Sequence, residues 1–109
     1  MSFSKGDVIL LPYPFTDLKA TKVRPAVVAA SATGHYSDVF VVPLTSRLIV
    51  LSSGEFSLID WNSAGLNVPT AVKRGCVLLD AGLVMRKVGS LSDRDRLALD
   101  RALRLWLEL

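Results

Sequence analysis

The sequence predicts a mainly β protein: a compact antiparallel sheet or small barrel, with one amphipathic helix at its C-terminal end. Two observations carry that expectation. Short runs rich in Val, Leu, Ile and Phe recur along the chain, separated by turn residues at Gly34, Ser52-Ser53-Gly54, Asn62 to Gly65 and Gly82. Only the stretch from Ser92 to Leu109 shows helical spacing instead. A length of 109 residues fits one domain spanning 1–109, and an apolar share of 50% is enough for one core without disulfide or metal staples.

Taken in order, Asp7 to Tyr13 is the first strand, ending among Pro12 and Pro14. Pro14 to Lys22 is a polar connection, long for a hairpin, and long connections are often functional. Pro25 to Ala30 is the second strand, and Asp38 to Leu44 the third, centred on Phe40-Val41-Val42. Glu55 to Ile59 alternates and reads as a fourth, Val72 to Leu79 as a fifth, and Val84 to Val88 as a short sixth. Ser92 is a helix N-cap with Asp95 three residues on, close to a capping box. Leu99, Ala102, Leu103 and Trp106 then form an apolar stripe opposite the charges. Leu105, Leu107 and Leu109 widen that stripe, as a frayed terminus, a broader core contact or a face for a second subunit. Trp61, in a polar loop, reads as an exposed ring that invites a partner.

Composition narrows the function. The single cysteine, Cys76, makes no internal disulfide, and fits a reducing, cytoplasmic setting. The N-terminus lacks the basic-then-apolar pattern of a signal peptide, and no run reaches the roughly 20 apolar residues of a membrane helix. The net charge is +3, and all of the excess lies in the first 91 residues, which hold 9 basic and 6 acidic side chains. A polyanionic partner is permitted by this balance. Glycines stand isolated, so there is no phosphate loop. His, Cys, Asp and Glu show no metal-ligand spacing, so neither a metal nor a cofactor is expected. His35, the one histidine, sits in a polar loop without a nucleophile motif and reads as a solvated loop residue.

Two segments stand out. In Lys22-Val23-Arg24-Pro25-Ala26-Val27-Val28 a guanidinium sits at the mouth of an apolar strand, with a proline fixing the backbone after it. In Val41-Val42-Pro43-Leu44-Thr45-Ser46-Arg47 another strand ends in two hydroxyls and an arginine. Sites are often built just past strand ends, where the scaffold holds side chains still. On spacing alone, Arg24 reads equally as a surface ion-pair partner and Thr45-Ser46 as a turn.

These segments carry a resemblance. Gly6-Asp7-Val8, Pro14-Phe15-Thr16-Asp17 and Lys22 to Val28 are similar to the opening blocks of the MazF/PemK family of toxin–antitoxin ribonucleases. Val42-Pro43-Leu44-Thr45-Ser46 resembles its second block, and Leu66 to Val72 with Pro69-Thr70 its third. Arg86-Lys87-Val88-Gly89-Ser90-Leu91-Ser92 and the closing helix resemble its C-terminal end. The resemblance implies a small SH3-like β-barrel with a terminal helix, a homodimer, sequence-selective cleavage of single-stranded RNA, and inhibition by a cognate antitoxin. It implies catalytic roles for Arg24 and Thr45. The third block departs from the pattern: Lys73-Arg74-Gly75 follows Ala71-Val72 where several members carry an arginine and an acid. Lys73 stands for the arginine, and no residue matches the acid.

RNA cleavage of this kind uses the 2′-hydroxyl as internal nucleophile, so the protein must align groups and stabilise charge on phosphoryl oxygens. A guanidinium fork suits the second task, which falls to Arg24, and the Thr45 hydroxyl donates a further hydrogen bond. Tyr13 and Phe15 are candidates to stack on splayed bases, with Phe15 equally readable as a core anchor. Lys19, Lys22, Ser46, Arg47, Lys73 and Arg74 are candidates for RNA contacts. Two other functions remain open at this point: a non-catalytic toxin of the same fold that poisons a protein such as a topoisomerase, and a plain nucleic-acid-binding SH3-like module.

Overall fold

Strands with both faces covered read as continuous apolar runs rather than as alternating ones, and the first three strands are of this kind. In the computed structural model, which describes residues 2–13, 22–31 and 37–109, they are β1 (Asp7–Tyr13), β2 (Lys22–Ser31) and β3 (Asp38–Thr45). Successive side chains of a strand point to opposite faces. Accordingly Val8, Val27, Ala29, Val42 and Leu44 join one buried cluster, while Ile9, Leu11, Ala26, Val28, Val39 and Val41 join a second on the other side. Four further strands follow: β4 (Phe56–Ser57), β5 (Ala71–Val72), β6 (Val77–Asp80) and β7 (Arg86–Ser90). Every pairing is antiparallel. The order is β4-β5-β3-β2-β1-β7, with β6 also on β3. Among the described residues β4 and β7 are the two ends and do not pair with each other. The mainly β class with a terminal helix is as the sequence predicts.

The expected fifth strand, Val72 to Leu79, is in fact two. Leu44 pairs with Val72 and Val41 with Val77, so Val42 and Pro43 of β3 face the four residues from Lys73 to Cys76. Pro43 has no N–H to offer the ladder. The Lys73 N–H still reaches the Pro43 carbonyl at 2.9 Å, and the chain then bulges out through Gly75, at φ +147° beside the proline ring. The expected sixth strand is shifted to β7, after a short 3₁₀ turn over Ala81–Leu83 that Asp80 caps.

The helix α1 spans Asp93–Leu107. Leu99, Ala102 and Leu103 are buried, and Leu99 and Leu103 complete the first cluster together with Leu58, Leu66 and Leu91. Ser92 caps it, its hydroxyl accepting from the Asp95 N–H at 3.4 Å. The capping box is not reciprocal, however. The buried Asp95 carboxylate turns away and accepts from the N–H groups of Ile59 at 2.9 Å and Asp60 at 2.8 Å. Trp61 differs from expectation in the same region: it is half-buried and packs against the first cluster. No helix among the described residues is long and apolar enough to cross a membrane.

Candidate active site

Several parts of the chain meet around one open cleft of about 710 Å³, within the usual range for ligand sites. The first is the start of β2. Arg24 pairs with Leu11 across β1, and Pro25 with Leu10, so the ladder fixes the backbone that carries the exposed guanidinium. The second is the end of β3, where Thr45 pairs with Ala71 and the chain then leaves the sheet. The third is the segment between β4 and β5, which brings Leu66, Asn67 and Val68 into the lining.

The local geometry at Thr45 decides what its hydroxyl can do. Its oxygen accepts the Arg47 N–H at 3.1 Å, closing a small turn just past the strand. With that lone pair engaged, the hydroxyl hydrogen remains available to donate to a ligand. Ser46 and Arg47 follow it into the cleft wall. Lys73 joins them from the far side of β5. Arg86, the first residue of β7, faces Leu10 of β1 and adds a fourth cation to Arg24, Arg47 and Lys73. Among the described residues no carboxylate lines the cleft. Glu55 lies outside its wall, where the N–H groups of Arg74 and Ser52 hold its carboxyl below the ordinary value. No three His, Cys, Asp or Glu among the described residues lie close enough to hold a metal ion.

Of the residues singled out from sequence, Arg24, Thr45, Ser46, Arg47 and Lys73 thus gather in one place. Lys22 and Arg74 are exposed but do not line the cleft. Tyr13 closes β1 opposite Lys22, and its side chain lies outside the described residues, as do Phe15, Lys19 and His35. Sequence reasoning did not pick out Arg86 or Asn67. The signal for Arg86 was present as two cations, Arg86-Lys87, at the head of a strand.

The segment carrying Asn67 is firmly anchored. Its base is closed by the Leu58 N–H on the Thr70 carbonyl at 2.9 Å. Asp60 receives both Nε and a terminal nitrogen of Arg94 at 2.7 Å and the Ser92 hydroxyl at 2.6 Å. These partners hold the Asp60 carboxyl well below the usual carboxylate range. On the other side Gly65 and Gly89 let two backbones cross: a Cβ on Gly65, at φ +87°, would run into the Val88 carbonyl, and one on Gly89 into that of Ala64.

An arginine and a threonine from two adjacent strands line one basic cleft, on an antiparallel sheet packed by one helix. Residues 4–107 match the family described as PemK-like, MazF-like toxin of type II toxin–antitoxin systems. The chain belongs to this family. Solved structures share the MazF-like fold. One is an endoribonuclease from a mycobacterial species in complex with its cognate antitoxin, with 16% identity, a TM-score of 0.73, and coverage of 99% of this chain and 97% of that one. A second mycobacterial endoribonuclease has 17% identity and a TM-score of 0.75, covering 100% and 94%. The Mycobacterium tuberculosis toxin MazF-mt6 has 21% identity and a TM-score of 0.70, covering 94% and 97%. No curated protein matches the sequence.

Proposed function

We propose that this MazF-like toxin is a cytoplasmic endoribonuclease, one functional unit over residues 1–109, that cuts single-stranded RNA at selected sequences without a metal. The observation that carries the reading is the meeting of Arg24 and Thr45, from two different strands, in a cleft with three further cations and no carboxylate among its described lining. The 2′-oxygen gives up its proton and bonds to the adjacent phosphorus, the bond from phosphorus to the 5′-oxygen of the next nucleotide breaks, and that oxygen takes up a proton, giving a 2′,3′-cyclic phosphate and a 5′-hydroxyl. Negative charge grows on the phosphoryl oxygens as the bond forms. Arg24 neutralises it with a fork that matches two oxygens, and the Thr45 hydroxyl donates to one of them. A guanidinium offers only donors and does not act as the base. Arg47, Lys73 and Arg86 hold the flanking phosphates.

The chain acts in this reading as a homodimer and is silenced by a cognate antitoxin. An acidic, initially disordered antitoxin segment would lie along the basic cleft and compete there with RNA.

Incubation of the purified protein with single-stranded RNA in excess chelator tests the reading. Cutting is expected to persist, and Arg24→Ala to abolish it by about 10²–10³ or more at unchanged folding. Arg24→Lys should also be poor, since a point charge cannot fork onto two oxygens. A surface ion-pair role predicts the opposite: under about 1 kcal/mol of stability lost and an unchanged rate. Full cleavage by folded Arg24→Ala would remove the site assignment. Absence of cutting by the wild type would favour the non-catalytic alternatives.

A further inference from the structure

We infer that Asn67 reads a base of the RNA strand, and so sets part of the sequence selectivity. The inference rests on reading the cleft as an RNA site. Asn67 is exposed and lines the same cleft as the strand ends that carry Arg24 and Thr45. Its amide takes part in no hydrogen bond among the described residues. A side-chain amide offers a donor and an acceptor side by side, the pattern needed to pair with a base edge. The cations of the cleft suit phosphates and carry no sequence information themselves. Among the lining residues Asn67 is the one amide. Val68 beside it is 51% exposed and provides an apolar surface for the face of a base.

Rigidity separates this amide from an ordinary loop polar group. A reading side chain discriminates only if its backbone cannot follow the wrong base. The segment from Leu58 to Thr70 is clamped at its base by Asp95, Asp60 and Arg94, and against β7 by the Gly65–Gly89 crossing. Leu66, the residue before Asn67, is buried in the first cluster. Asn67 is thus presented at a fixed distance from the strand ends. A bound strand placing its phosphate at Arg24 and Thr45 would present a neighbouring base to it.

The experiment is to cleave a pool of single-stranded RNA randomised around the cut, sequence the new ends, and compare wild type with Asn67→Ala and Asn67→Asp. A second arm measures binding to the same pool carrying 2′-deoxy residues, which cannot be cut by this chemistry. For Asn67→Ala, preference at one position should fall roughly 5- to 150-fold, the worth of one well-made base pairing, while the least favoured sites are cut as before. Asn67→Asp, with two acceptors, should move that position toward guanine, whose Watson–Crick edge offers two donors side by side. An unchanged profile, or an equal drop at every site, overturns the inference. If the wild type does not cut but binds the blocked pool with a preference that Asn67→Ala erases, the ribonuclease reading fails and the inference stands. A blocked-pool preference indifferent to Asn67, alongside an unaltered cleavage profile, ends it.

Discussion

Thr45 is oriented by its own turn. Because its oxygen accepts the Arg47 N–H, the hydroxyl keeps its hydrogen to donate to a ligand. Thr45→Ser keeps that arrangement and should retain most activity. Thr45→Val keeps the shape and β-branching but loses the hydroxyl, and should cost about 10²–10³ in cleavage rate. RNA binding, measured on uncleavable substrate, should weaken far less; equal losses in binding and rate would make Thr45 a binding residue only. Asp60 supports a pH prediction of a different kind. Hydrogen bonds from Arg94 and Ser92 depress its carboxyl in the folded state, whereas the unfolded value is about 3.9. A depressed acid contributes stability that is fully present above its unfolded pKa and is lost as pH falls toward the folded one. Denaturant titrations should therefore show stability declining below about pH 5, with a shallower decline in Asp60→Asn. Identical slopes in the two proteins between about pH 5 and 3 would contradict the linkage.

At the scale of elements, the helix does more than cover the sheet: Asp95 ties its first turn to the segment that brings Asn67 into the cleft lining. Asp95→Ala leaves two N–H groups without their acceptor and should lower stability by about 2–4 kcal/mol in urea titration. Asp95→Asn, which keeps one acceptor oxygen, should lose less; equal stability of Asp95→Ala and wild type would mean the tie is idle. From the sequence, Asp95 looked like half of a capping box, because residue spacing shows the helix end but not what packs beside it. The same division runs through the fold. β1 was legible end to end, β2 and β3 nearly so, since two buried faces leave long apolar runs. The break between β5 and β6 was not, because it answers to Pro43 on a different strand. In the cleft, Arg24, Thr45, Ser46 and Arg47 were visible as strand-end polar groups. Arg86 and Asn67 were not, because they reach the cleft through the pairing of β7 on β1 and through the anchored segment, contacts between residues far apart in sequence.

Seen as a whole molecule, the chain leaves Leu97, Leu105, Leu107 and Leu109 exposed along and beyond α1, and Phe40 and Leu78 exposed on β3 and β6. That is more apolar surface than the stripe under the helix uses, and it suits the proposed homodimer. Sedimentation at micromolar concentration should give twice the 11.8 kDa chain mass, and a lone species of 11.8 kDa would count against the dimer. One feature of the architecture reaches beyond this chain. Arg24 and Thr45 sit on strand ends that the sheet ladder holds, while Asn67 sits on a separate segment held by the helix and by a glycine crossing. The two are anchored by different residues. If Asn67 reads a base as proposed, substitutions at and around it can drift toward new target sequences without disturbing the strand ends that carry Arg24 and Thr45, provided that the two anchors survive. A lineage of such toxins can then diversify its targets one exposed side chain at a time, each step tolerated by the fold and immediately available to selection.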